Sequence, residues 1–175
     1  MPTITSVVVK ADLGVSVDLY ALANILRNVK YDPTKFPGLV WHHSSISGSC
    51  CLFKSGRIVC HGNRCLKAGK SNIRKYARII EKIGYPVRIE NILIQTIAAK
   101  HRIKGGVPLE QIEKWMGGTY KGGAKHPTVT FRRQGIHFTI HRSGKALCSG
   151  LSSLEAISKL VKPTLLEIQL ACLNG

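Results

Sequence analysis

Apolar and polar positions along the chain change period several times, and each change marks an element. Ile4 to Lys10 is dominated by β-branched residues and predicts a strand. Leu19, Leu22, Ala23, Leu26 and Val29 then recur at helical spacing, predicting a helix over Val17 to Val29 with Ser16 or Asp18 as its cap. Pro33 and Pro37 break that pattern. Leu39 to Ser44, Ser49 to Lys54 and Arg57 to His61 read as a meander of strands with turns at Ser47-Gly48 and Ser55-Gly56. Leu66 to Ile83 is amphipathic: Leu66, Ile73, Tyr76, Ala77 and Ile80 share one face, basic residues lie elsewhere, and Gly84 ends the helix. The same succession follows again. A strand is expected over Arg88 to Ala98, a helix over Pro108 to Met116, and strands over Thr128 to Arg133, Ile136 to His141 and Lys145 to Ser149. A helix from Ser152 should end or kink at Pro163, leaving Leu165 to Leu173 as a short apolar tail piece.

The recurrence extends to residue identity. FKSGRIVCHG (53–62) returns as HRSGKALCSG (141–150), so Ser55, Gly56, Cys60 and Gly62 match Ser143, Gly144, Cys148 and Gly150. Ile4, Val17, Leu19 and Pro37 recur at Ile94, Val107, Leu109 and Pro127, at a spacing two residues longer. The change of spacing places a shortened hairpin between Pro127 and Ser143. Two copies are too few for a solenoid, so the expectation is a duplicated α+β chain with one repeat over 1–90 and a second over 91–175.

Alternation predicts something unusual about the strands. Val7 and Val9 point one way, Ser6 and Val8 the other, and both sets lack charge. Helices can cover only one face, so the other is an uncharged surface in a strongly basic protein. Lys and Arg number 26 against 9 Asp and Glu, and the excess is present in both halves. A polyanion touching both repeats is the natural partner. A mildly apolar face with cations around it suits the DNA minor groove, where sugars line the floor and phosphates the rims.

Catalysis on nucleic acid calls for clustered carboxylates or a positioned acid and base, yet Asp12, Asp18 and Asp32 are dispersed and none recurs. An enzyme is therefore disfavoured. Zinc is disfavoured too, because alternation turns Cys60 away from His61 and only Cys65 lies nearby. The six cysteines form no CxxC motif, and Cys60 and Cys148 are expected in the core. No secretory leader or membrane span is expected, so the thiols are read as reduced.

Read in order, YDPTKFPGLV (31–40), FKSGRIVCHG (53–62), RKYAR (74–78), GYP (84–86) and IQTI (94–97) resemble the signatures of the TATA-box-binding protein family. That resemblance spans essentially the whole chain. It implies a pseudo-twofold saddle of two repeats, each a curved antiparallel sheet with two helices on its convex side. It also implies double-stranded DNA as ligand, bound in the minor groove and bent without cofactor, metal or chemistry; that family is a worked case of sheet-mediated kinking.

What the resemblance assigns to individual residues is uneven between the halves. Phe36 and Phe53 stand where the first-repeat wedges stand, whereas His126 and His141 occupy the second-repeat positions. The family's central asparagines fall on Ser6 and Thr96. Its apolar contacts fall on Val8, Ala98, Val59, Leu147, Cys51 and Thr139, its threonines on His61 and Ser149, and Arg57 and Lys145 complete the implied DNA face. The helix bearing Lys67, Lys70, Arg74, Lys75 and Arg78 matches the surface where regulators dock. The segment that would meet a TFIIB-like factor, TYKGGAKHP (119–127), carries Lys121 and Lys125 and no acid. Implied besides are an RNA polymerase among the partners, no membrane, a monomer on DNA with a dimer as the alternative free state, and a nuclear location or the transcription compartment of a large DNA virus. The competing reading is a sequence-tolerant architectural DNA-binding protein without a promoter role.

Overall fold

The computed structural model describes residues 1–123 and 126–173. Two compact units emerge, one of Ser6–Gln95 and one of Thr96–Gly175 together with Met1–Thr5. Both are built to the same plan.

In the first unit the strand β1 (Thr3–Asp12) is followed by the helix α1 (Leu19–Ile25) and by four strands: β2 (Val29–Lys30), β3 (Leu39–Trp41), β4 (Ser49–Leu52) and β5 (Arg57–Asn63). The helix α2 (Leu66–Ile83) closes the unit. The strands pair antiparallel in the order β2-β3-β4-β5-β1. The second unit runs β6 (Ile92–Arg102), α3 (Leu109–Met116), β7 (Thr119–Lys121), β8 (Thr128–Arg133), β9 (Ile136–His141) and β10 (Lys145–Leu151). A π turn at Ile157–Val161 leads into α4 (Lys162–Leu173). Its strand order is β6-β10-β9-β8-β7, again antiparallel.

Each sheet is covered by helices on one face. Val7, Val9, Cys50, Leu52, Ile58 and Cys60 are buried there in the first unit, under Ile73, Tyr76 and Ile80 of α2. Close approach matters at Gly69, where an added Cβ would lie 2.9 Å from both Val9 methyls. In the second unit Ile97, Ala99, Val129, Phe131, Phe138, Ile140 and Cys148 form the equivalent core with Ile112, Leu165 and Ile168, and the Phe131 and Phe138 rings stack at 4.9 Å. The shortened hairpin is β8–β9. Its two-residue turn, Gln134-Gly135, has φ of 49° and 81°, the positive pair that a tight hairpin requires.

Several expectations need correction. Helix α1 stops at Ile25: Asp18 caps it by accepting from the Ala21 amide at 3.0 Å, Leu26 is extended, and Asn28 at φ 57° turns the chain so that Val29 and Lys30 pair with β3. Sheet pairing outweighs the apolar spacing that suggested a longer helix. Strand β6 begins later and runs further than Arg88 to Ala98, because residues 85–91 cross to it, with the Arg88 amide tied to the Leu13 carbonyl at 2.7 Å. Pro163 neither ends nor shortens the last helix. The wider π turn just before it accommodates the missing N–H, and the Thr164 hydroxyl donates to the Leu160 carbonyl at 2.9 Å, so Leu165 to Leu173 belongs to α4. The edge strands β2 and β7, of two and three residues, are too short to carry a period.

A buried amide network locks α2 to the sheet of the first unit. Asn63 donates to the Val7 and Cys60 carbonyls, both at 2.9 Å, across the bulge that interrupts β1–β5 pairing. Asn72 on α2 donates to Asn63 Oδ1 at 3.0 Å and to the Ser47 carbonyl, and the Tyr76 hydroxyl donates to the Gly48 carbonyl at 3.0 Å. Asn72→Ala removes the bonds from α2 to Asn63 Oδ1 and to the Ser47 carbonyl, leaves Asn63 Oδ1 with the weak Cys60 thiol as its remaining donor, and should cost about 1–3 kcal/mol, read as a lower denaturation midpoint in urea. An unchanged midpoint would mean that the network contributes nothing net.

Candidate nucleic-acid interface

The face of each sheet that the helices leave open is set by strand parity. In the first unit the register places Val40 opposite Cys51, Cys51 opposite Val59, and Val59 opposite Lys10, a row across four strands. His61 stands opposite Ser49 in the next row. Ser6 and Val8 share the parity of Lys10 along β1 and are half-buried, as are Cys51 and His61. Val40 is 37% exposed, whereas Val59 is only 5% exposed and offers little of its side chain. Cations stand at the strand ends, with Lys10 half-buried and Arg57 exposed.

Phe36 and Phe53 come together at the β3–β4 side of this face. Their rings meet edge to face with centroids 5.8 Å apart, Phe36 is 42% exposed, and the Arg57 guanidinium lies 5.2 Å from the Phe53 ring centre. Local turns present both rings. Asp32 accepts from the Phe36 amide through its carbonyl at 3.0 Å and from the Thr34 hydroxyl through its carboxylate at 2.5 Å. That hydroxyl, followed by Lys35, holds the Asp32 carboxyl below its ordinary pKa. The Phe53 carbonyl accepts from the Gly56 amide at 2.9 Å. Gly38 makes room, since a Cβ there would lie 2.7 Å from a Phe36 ring carbon and 3.0 Å from one of Phe53.

The second unit repeats the row as Thr130, Thr139, Leu147 and Lys100. Thr96 and Ala98 lie on the parity of Lys100, half-buried, and Ser149 is exposed opposite His137. Where the first unit has Phe36 and Phe53, the second has His126, which is exposed, and His141, half-buried opposite Thr128. Burial first, then the charges of Lys145 and His126, hold the His141 pKa below its ordinary value. Its neutral form is therefore favoured near pH 7. Arg142, the next residue, is directed away by Glu110 and by the Tyr120 hydroxyl at 3.1 Å.

The structure brings Ser6, Val8, Cys51, Val59, His61 and Arg57 together on one open face, with Phe36 and Phe53 beside it. Thr96, Ala98, Thr139, Leu147, Ser149 and Lys145 come together on the other, with His126 and His141. Val40, Thr130, His137, Lys10 and Lys100 share these faces and were missed in the sequence; parity counted along the full length of each strand would have found them. On α2, Lys67, Arg74, Lys75 and Arg78 are exposed and Lys70 half-buried, on the side away from the buried Ile73, Tyr76 and Ile80. Lys121 is exposed at the end of β7, and Lys125 lies outside the described residues.

The cysteines have structural surroundings. The Cys60 thiol lies 3.6 Å from Asn63 Oδ1 and burial pushes its pKa up to about 11; burial raises Cys148 to about 12. Cys65 caps α2, its Sγ accepting from the Ala68 amide at 3.5 Å. The buried thiols of Cys60 and Cys148 stay protonated and are poor nucleophiles or metal ligands at neutral pH.

Comparison with known proteins agrees with this arrangement. A family model described as transcription factor TFIID, or TATA-binding protein, matches residues 1–83. TATA-box-binding protein 2 of Entamoeba histolytica is 29% identical over 164 residues, covering 92% of this chain and 77% of that protein. The TATA-box-binding protein of Dictyostelium discoideum is 33% identical over 110 residues, which is 63% of this chain and 54% of that one. The solved structure of Methanococcus jannaschii TBP superimposes with a TM-score of 0.82 at 28% identity, covering 96% of this chain and 98% of that one. By fold, by succession of motifs and by these relatives, the chain is similar over most of its length to the TATA-box-binding proteins.

Proposed function

We propose that the protein is a general transcription initiation factor that binds the minor groove of AT-rich promoter DNA through its open sheet faces and bends the duplex. The observation that carries this reading is the pair of rows Val40–Cys51–Val59–Lys10 and Thr130–Thr139–Leu147–Lys100: small uncharged side chains ending in a cation. Uncharged groups fit sugars and base edges in a widened groove, and the terminal cations fall where phosphates run. Ser6 and Thr96 offer hydroxyl donors to the A N3 and T O2 acceptors that mark A·T pairs in that groove. Exposed basic side chains on α2 suit acidic partners of the initiation machinery, while the acid-free segment around Lys121 argues for a changed contact with any TFIIB-like factor. A nuclear location goes with this role.

The two ends of the site differ in the means of bending. Phe36 and Phe53 can part a base step, an unstacking that costs a few kcal/mol and is offset by the larger contact that bent DNA allows. His126 and His141 are smaller and more hydrated, so the second-repeat end bends less. Phe36→Ala with Phe53→Ala should reduce bending, read by end-to-end FRET on a duplex, more than His126→Ala with His141→Ala. Equal losses would refute the asymmetry. Equal affinity for AT-rich and GC-rich duplexes at moderate salt would instead favour an architectural protein without a promoter role.

Because the free fold holds His141 below its ordinary pKa, it is neutral at pH 7 and gains its charge only as pH falls. The same linkage costs the free protein stability on acidification, since the unfolded chain takes up its proton first. Phosphates nearby favour the charged form. Affinity for duplex DNA should therefore rise between pH 7.5 and pH 5.5, to a measurable degree by fluorescence anisotropy, and His126→Gln with His141→Gln should diminish that rise. A rise of the same size in the double variant would remove the pair from the interface.

A further inference from the structure

The ends of β1 and β6 each frame a cleft, and the two clefts occupy the same place in their own repeats. In the first unit it measures about 530 Å³ and its charged lining is mixed: Lys10, Arg57 and Arg88 against Asp12 and Glu90. In the second unit it measures about 540 Å³ and is lined by Lys100, His101, Arg102, Lys104 and Lys145, with no acid. Duplication supplies the comparison. Asp12 is paired in register with Arg57, an opposite-charge pair; Arg102 is paired in register with Lys145, like charges directly opposed, which weakens a sheet.

Nothing among the described residues neutralises the second cleft. The four carboxylates of this half are engaged elsewhere: Glu110 with Arg142, Glu167 with Arg133 at 2.5 Å, Glu155 with Lys159 at 2.9 Å, and Glu113 with the Tyr120 amide at 2.9 Å. The cleft is also held in shape. Gln169 on α4 accepts from the Lys104 amide at 2.7 Å and donates to its carbonyl at 2.9 Å, fixing the chain just beyond β6. Four exposed cations on a fixed frame, without an internal counterion, call for an external one of multiple negative charge.

We propose that this cleft is a phosphate clamp, seating consecutive phosphates of the duplex backbone at the second-repeat end of the site. It rests on the minor-groove reading above and extends it. The second repeat, with histidines where wedges would stand, holds DNA chiefly by charge, while the first repeat holds it by aromatic insertion.

Salt titration separates the possibilities. Each phosphate neutralised contributes about 0.9 to the slope of log affinity against log salt, so Arg102→Gln with Lys104→Gln should flatten the slope by about 1.8. Lys82→Gln with Lys114→Gln, the same charge change at exposed positions of α2 and α3, should leave it unaltered. An unaltered slope in the cleft variant, or equal flattening in both, overturns the clamp while leaving the minor-groove reading intact. Failure of the parent protein to bind any duplex sinks both. The free cleft variant should melt no lower than the parent, because removing Arg102 relieves its repulsion by Lys145; a lower melting temperature would show that the cleft needs no external anion and would also overturn the proposal.

Discussion

Helices can shield only one side of an antiparallel sheet, and in this chain the unshielded side is uncharged along the middle of its strands and carries cations such as Lys10, Arg57, Lys100 and Lys145 toward their ends. Everything else follows from how that side is furnished. Alternation sends Val7, Val9, Ile97 and Ala99 inward, and the same rule sends Ser6, Val8, Thr96 and Ala98 outward. One set of strands thus builds the core and the open face at once. The amide network around Asn63 and Asn72 and the tight packing at Gly69 keep α2 seated, and so hold the open face of its unit in register.

Duplication gives the molecule two copies of one solution, and divergence has furnished them differently. Phe36 and Phe53 form a compact edge-to-face aromatic pair over Gly38 in the first unit. The second unit has the imidazoles of His126 and His141, the latter held below its ordinary pKa chiefly by burial, and a cleft of uncompensated cations. An aromatic pair in the first half is replaced by titratable and cationic side chains in the second. A shorter β8–β9 hairpin belongs to the same divergence, and the strands on either side of it still keep the register that places Thr130, Thr139 and Leu147 in one row.

Much of this was legible in the sequence where a period is long and uninterrupted. Helix α2 was readable to the residue because 18 positions keep one apolar stripe and Gly84 terminates it. Strands β8 and β9 were equally readable. The end of α1 was not, because Leu26 and Val29 continue an apolar spacing that sheet pairing at Val29 overrides. Nor was α4, because the effect of Pro163 is absorbed by a π turn that no local pattern announces. Motif resemblance and parity located most of the open face, but Lys10 and Lys100 were overlooked as its end members. The clefts were invisible for a different reason: the one in the first unit joins residues near positions 10, 57 and 90, and only folding makes them neighbours.

Groove choice is the most direct test of the account. Inosine·cytosine pairs present the same minor-groove edge as A·T pairs but the major-groove edge of G·C, because inosine lacks the guanine amino group. A duplex in which I·C replaces every A·T pair of a preferred site should bind this protein nearly as well as the original, while a G·C-substituted duplex should bind markedly worse. Loss of binding to the I·C duplex equal to that of the G·C duplex would place recognition in the major groove and contradict a role for the open sheet faces.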